Sequence, residues 1–343
     1  MSEFRIDQIT NQSGSRGPDI AGITTFTGTS GMVMPSGPTE YRGGRGRGLF
    51  LQGRSPSSDT NIIDYVTIAT TGNAQDFGDL SKASLGGSAL ASSTRGLSAT
   101  GYDAPTQDNI IDYITISSTG NAFDFGDLIT AFQYGNACSS STRGLFANGL
   151  QNIPANVYNS TINAVTIASK GDAFDFGDVS FARRSSNNGI SNGTRGIFGG
   201  GNYGPTLLNT IEFVTITTLG NGQDFGDLLE PLTNISSCSN SVRGLYGGGG
   251  TPSAVNTIQY ITIASIGDAI DFGDLSAARY FFASACASSI RGLFGGGNEA
   301  PAFVNTIDFV TIASTGNASD FGDLTVGRDG LSACSDAHGG LGD

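Results

Sequence analysis

The chain has 343 residues, 52 of them Gly, with no Trp, 14% charged residues and a formal net charge of −13. No apolar run reaches the 18 or so residues of a membrane-spanning helix. Apart from Arg42, Arg45 and Arg47 there is no basic field for nucleic acid. Abundant Gly alongside Thr, Ser, Ile and Val, with no every-third-residue period, indicates an all-β chain rich in turns rather than a collagen.

The N-terminus, MSEFRIDQIT, lacks the charged-then-apolar layout of a secretory signal. The expectation is that, if the protein leaves its cell of synthesis, it does so by lysis or within an assembly rather than by a signal peptide. Residues 1–44 hold many glycines with Pro18, Pro35 and Pro38, and only Arg5–Ile9 alternates as a strand would. This stretch reads as extended chain, either a tail or an arm that adds a strand to a partner and is ordered by assembly.

From Arg47 onward one unit is read six times. Arg-Gly followed by Leu or Ile begins at Arg47, Arg95, Arg143, Arg195, Arg243 and Arg291. Next comes I-x-x-V/I-T-I, as in Ile63–Ile68, Ile211–Ile216 and Ile307–Ile312. The tetrad Asp-Phe-Gly-Asp follows, from Asp76, Asp124, Asp175, Asp224, Asp271 and Asp320, in steps of 47–51 residues. A small-residue stretch such as Ala283–Ser289 ends the unit. Four short strands per unit, with no helical period between them, predict a propeller blade rather than a solenoid. Residues 45–343 are therefore expected to form a six-bladed β-propeller. The first copy lacks a small-residue strand and the last ends on Leu331–Cys334, so N- and C-terminal strands should share a blade and leave no open edge. At the seventh copy, Gly339 stands where the motif arginine would be.

The tetrad carboxylates bring no third recurring acid, too few ligands for calcium. They are expected to cap turn N–H groups or to pair with the motif arginines, and a ring of Arg–Asp contacts between blades is one hypothesis. Cys138, Cys238, Cys286 and Cys334 share a repeat position with Leu90 and Ile190, which predicts buried free thiols. With His338 the single histidine, triad and most metal chemistry lack their parts, and the Gly-Gly-Gly runs lie in turns rather than at a helix start. No enzyme activity, cofactor or metal is expected. Copies differ most in the loops after the glycines, where Tyr102, Tyr158, Tyr203 and Phe303 are candidate contact residues, and after the tetrad, as in Ile129–Asn136 and Ser180–Asn188.

The unit resembles a kelch-type repeat. The matching features are Gly199-Gly200, Gly247-Gly248 and Gly295-Gly296, then an aromatic such as Tyr65, Tyr113, Phe213, Tyr260 or Phe309, then Arg183, Arg279 or Arg328. The Trp usual in that family is missing, and the tetrad Phe takes its place. The wording N-T-I-D-F-V-T-I-A-S-T-G-N-A-x-D-F-G-D-L also resembles repeats in structural proteins of tailed bacteriophages, marine and cyanobacterial ones especially. That resemblance implies a virion protein, assembled in the host cytoplasm in several copies. Residues 1–44 would dock on other virion proteins, and the propeller would touch a host glycan or receptor, as in a tail fibre. The alternatives are a capsid or neck decoration, a glycan-binding propeller of cellular origin and, least supported by the His count, a hydrolase or lyase.

Overall fold

The computed structural model describes residues 46–99, 101–103, 105–152, 155–184, 189–280, 284–299 and 302–337. The arm, His338 and Gly339 lie outside them. The structure is an all-β propeller of six blades, each an antiparallel sheet with four main strands. The sixth blade shows the plan from the axis outward: Ser284–Ala287, Arg291–Gly295, Thr306–Thr311 and Ser319–Asp323. The strands expected at Arg291–Gly297 and Ile307–Ala313 are each trimmed by their flanking turns. Short hairpins, such as Asn202–Tyr203 with Thr206–Leu207, cap several of the long loops.

The ring closes as the chain ends suggest. Ser332–Ser335 pairs antiparallel with Arg47–Arg54, placing Leu49 opposite Cys334 and Phe50 opposite Ala333. A strand from the end of the chain is thus the innermost strand of the first blade.

Convergence on the axis explains the small residues. Ala89, Ala137, Gly189, Ser237, Ala285 and Ala333 meet there and leave a cavity of about 20 Å³, room for roughly one water. The last residue of four inner strands is Ser, and each hydroxyl donates to the preceding blade. Ser139 Oγ reaches Ala91 O at 2.6 Å, Ser191 Oγ reaches Ser139 O at 2.8 Å, Ser239 Oγ reaches Ser191 O at 2.9 Å, and Ser335 Oγ reaches Ala287 O.

One residue from the axis, the cysteine position points between blades. A Cβ built on Gly196 would stand 2.6 Å from Cys138 Sγ, and one on Gly48 would stand 2.6 Å from Cys286 Sγ. Gly244 meets Ile190 in the same way, also at 2.6 Å. The Gly of Arg-Gly is therefore fixed by close approach of the neighbouring blade. The four thiols are free and buried, and burial pushes those of Cys238 and Cys334 up to about 12.

The paired glycines obey a size rule between adjacent blades. A Cβ on Gly199, Gly247 or Gly295 would run into Tyr246, Phe294 or Phe50 of the next blade, at 2.7, 2.8 and 2.7 Å. Where the first blade has Leu51 instead, the second blade's aromatic is replaced by Ser98. Gln52 and Asn148 stand where other copies have the second glycine and keep its left-handed backbone, with φ of 50° each.

At the rim the tetrad clasps the following blade. Gly120 N donates to Phe77 O at 2.7 Å, Ala122 N to Asp79 O at 2.8 Å, and Asp79 N to Asn121 Oδ1 at 3.1 Å. The same three bonds recur at every seam, including the last, where Gly72 N donates to Phe321 O, Ala74 N to Asp323 O and Asp323 N to Asn73 Oδ1. The tetrad glycine has φ near 145°, and its Cα lies against a glycine carbonyl: a Cβ on Gly78 would stand 2.5 Å from Gly120 O. Gly78→Ala combines that overlap with a glycine-only conformation, and should lose at least about 1–3 kcal/mol in urea unfolding. Gly204→Asn, at a left-handed turn with open space around it, should lose much less. Equal losses would show that the clasp is not tight.

Candidate functional site

In an antiparallel four-strand blade, the loop between second and third strands and the linker to the next blade lie at one end. The two remaining turns lie at the other. The propeller thus has a loop face and a turn face. Gly46 and Ala337, the first and last described residues, both stand on the turn face: Gly46 N and Arg47 N donate to Asp336 Oδ1, each at 3.0 Å. Exposed aliphatic side chains, Leu219, Val242, Ile266 and Ile290, occupy turns of that face in the fourth to sixth blades.

The motif arginines do bridge blades, but not to the tetrad carboxylates. Arg95 Nη1 donates to Ile167 O at 2.8 Å, Arg143 Nη1 to Ile216 O at 2.9 Å and Arg47 Nη1 to Ile116 O at 2.8 Å. Arg195, Arg243 and Arg291 reach the equivalent carbonyls of the blades that follow them. Each guanidinium also lies over a ring of its own blade, 4.7 Å from the Tyr113 centroid for Arg95 and 4.8 Å from that of Phe213 for Arg195. The third blade has Ala164 at that ring position, and Arg143 uses Phe174 instead, at 5.9 Å. The hypothesis of an Arg–Asp ring is therefore corrected. A strand-end carbonyl stands nearer, and Asp76, Asp124, Asp175, Asp224, Asp271 and Asp320 remain exposed on the rim. One tetrad acid does cap a turn, Asp175 Oδ1 accepting from Gly177 N at 3.1 Å.

A second inter-blade contact was not anticipated from the sequence. The residue after the Ile that begins the I-x-x-V/I-T-I run is buried in every blade: Asp64, Asp112, Asn163, Glu212, Gln259 and Asp308. Each accepts a backbone N–H from the preceding blade, for example Ser81 N to Asp112 Oδ2 at 2.8 Å and Leu229 N to Gln259 Oε1 at 2.8 Å. What faces it across the seam is the residue eight beyond the tetrad's first Asp. Arg183, Arg279 and Arg328 stand opposite Glu212, Asp308 and Asp64, with N–O separations of 3.3, 2.9 and 2.9 Å. Phe132 and Leu232 stand at the seams where the acceptor is the neutral Asn163 or Gln259. Charge faces charge and neutral faces neutral at five of the six seams.

The exception lies between the first and second blades, where Ser84 occupies the arginine position and donates instead to Gln52 Oε1 at 2.7 Å. Asp112 is 1% exposed and its Oδ1 accepts no hydrogen bond. Burial pushes its carboxyl above the ordinary range, opposed by hydrogen bonds from Ser81, with Asp124 adding a smaller upward push.

On the loop face, three repeat positions define a set at each seam, two from one blade and one from the next. Tyr158, Phe181 and Tyr203 meet between the third and fourth blades. The Tyr158 and Tyr203 centroids are 4.8 Å apart and those of Phe181 and Tyr203 are 5.8 Å apart. The corresponding sets are Asp59, Lys82 and Asp103; Gln107, Thr130 and Gln151; Leu207, Glu230 and Thr251; Ala254, Ala277 and Glu299; and Phe303, Val326 and Ser55. Of the four expected contact residues, the structure brings Tyr158 and Tyr203 together. Tyr102 pairs its backbone with Leu85 at the first seam, and Phe303 lies under Arg54, 5.6 Å from its centroid. Phe181 was missed, although aligning the copies from the tetrad places it in the same column as Lys82 and Glu230. Among the described residues no three His, Cys, Asp or Glu side chains gather as metal ligands. No protein-family model matches the chain, and no curated protein matches it.

Two predictions concern the buried pairs. Arg279→Leu strands Asp308 and should cost about 3 kcal/mol or more. Adding Asp308→Gln, which recreates the Leu232–Gln259 chemistry, should return most of that loss in a double-mutant cycle of urea midpoints. Additive losses would show that the two positions are independent. For Asp112 the folded state holds its proton more tightly than the unfolded state. Its contribution is therefore complete in acid, below the ordinary carboxylate range of about 3.9. It is lost as pH rises through the raised folded value. Asp112→Asn should remove this component, so the stability gain over wild type should grow from acid toward neutral pH. A gain that does not change with pH would disprove it.

Proposed function

We propose that the protein is a non-enzymatic structural component of a tailed-bacteriophage particle. Its turn face points toward the particle, where residues 1–44 dock on other virion proteins. Its loop face points outward, toward the host surface. The observation that carries this reading is the polarity of the ring. Both ends of the described propeller, together with the exposed Leu219, Val242, Ile266 and Ile290, lie on one face, and the six diversified residue sets lie on the other. The resemblance of the repeat wording to phage structural proteins supplies the setting. A scaffold whose seams hold fixed contacts while its surface sets vary suits presentation of contact residues rather than catalysis.

Gold-tagged antibody to residues 45–343 should label intact particles from the source, at the tail or its fibres. Deletion of residues 2–44 should abolish incorporation while the purified propeller keeps its melting temperature. Unlabelled particles, or normal incorporation without the arm, would defeat the proposal. Label on the capsid or neck would make the protein a decoration and remove the host-contact part.

A further inference from the structure

Resting on the reading of the loop face as a presenting surface, we propose that Tyr158, Phe181 and Tyr203 form a sugar-binding platform for an uncharged hexopyranose chain. The fold does not require these rings. The same positions hold Ala254, Ala277 and Glu299 two seams further round. Yet Tyr203 and Phe181 are 49% and 48% exposed, an arrangement that leaves apolar area in water. The rings make a corner rather than a flat stack, with Tyr203 tilted 49° to Tyr158 and 78° to Phe181. A pyranose presents a face of C–H groups and a rim of hydroxyls. Such a corner offers a ring face to the first and the two phenol hydroxyls to the second.

The surroundings add rigidity. Arg184 Nε donates to Asn202 Oδ1 at 3.1 Å, and its guanidinium lies 5.6 Å from the Tyr134 centroid. Asn202, next to Tyr203 in the chain, also donates from Nδ2 to Gly204 O at 2.8 Å and accepts from Thr233 Oγ1 at 3.0 Å. Tyrosine on a fixed backbone loses little conformational freedom on binding. The three rings carry no charge, and the Arg184 guanidinium beside them is already engaged by Asn202 and the Tyr134 ring, so the platform itself suits a neutral chain.

The test is affinity electrophoresis of the full-length protein through gels containing soluble dextran, mannan or galactan, with alginate as the anionic comparison. The comparison variant is Tyr158→Ala, Phe181→Ala, Tyr203→Thr. These residues are already carried by other seams at Ala254, Ala277 and Thr251, so the melting temperature should be preserved. The expected result is retardation by at least one neutral polymer, weakened about tenfold or more in the variant, as about 1.4 kcal/mol of lost contact implies. Retardation by none of the neutral polymers, by alginate alone, or equally in both proteins would overturn the proposal. So would capture of a host protein through these three rings with every polymer inert. Labelled particles with a polymer-blind propeller would remove the sugar site and leave the virion reading standing.

Discussion

The fold depends on close backbone contact between neighbouring blades. At each rim seam a tetrad glycine lies against a glycine carbonyl of the next blade, and three hydrogen bonds flank the contact. A side chain on the tetrad glycine would part the two strands by more than a hydrogen bond can stretch. This is why Asp-Phe-Gly-Asp and the Gly-Asn or Gly-Asp turn are held through six copies while much between them changes. The phenylalanine does the complementary task of filling the space beneath: Phe77, Phe125, Phe225 and Phe321 are all 2% exposed. Because the last seam carries the same bonds as the others, no blade ends in an unpaired position, and the ring has no seam intrinsically primed to open at the rim.

Deeper in the seam, the chain solves one problem in two ways at five of the six seams. Every third strand must offer an acceptor to a backbone N–H of the preceding blade. A carboxylate does so but has to be neutralised in a dry place, so an arginine is buried with it. An amide does so without a countercharge, and an apolar residue then suffices opposite. The arginine also satisfies backbone carbonyls: Arg279 Nη1 donates to Thr306 O at 3.0 Å, and Arg328 Nη2 donates to Phe50 O at 3.1 Å. The buried arginine is thus half of a pair whose other half lies in the following blade. The same logic of compensation governs size, with Leu51 facing Ser98 where three other seams oppose Gly, and two oppose Ala, to an aromatic.

Blade number, strand order and closure were legible because the repeat is long, its markers keep constant order and its ends are complementary. The thiols were legible because Leu90 and Ile190 fill the same slot. The arginine contacts were misjudged because opposite charges are easily paired on paper, while the carbonyl at a strand end has no letter in the sequence. The buried acceptors were hidden for a related reason: Asp64 and Asp308 look like surface residues until each is set beside Arg328 or Arg279 of the preceding blade. The aromatic corner was half visible, since Tyr158 and Tyr203 stand out in their loops. Phe181 joins them through a linker belonging to a different part of the repeat.

These contacts also bear on how the molecule could acquire function. Residues in the seams are coupled in pairs, so a change on one blade calls for an answering change on the next. Apart from the buried Ser55, the loop-face sets are exposed or half-buried, and their composition ranges from Asp-Lys-Asp through Gln-Thr-Gln to Tyr-Phe-Tyr without disturbing strand pairing below. Substitution there is restrained mainly by solubility, because surface changes away from buried polar networks usually alter stability little. A closed ring with six such sites can alter one while the other five stay as they are. Contact chemistry is therefore free to diverge seam by seam, and the aromatic set is the one that has diverged furthest from a solvent-compatible surface.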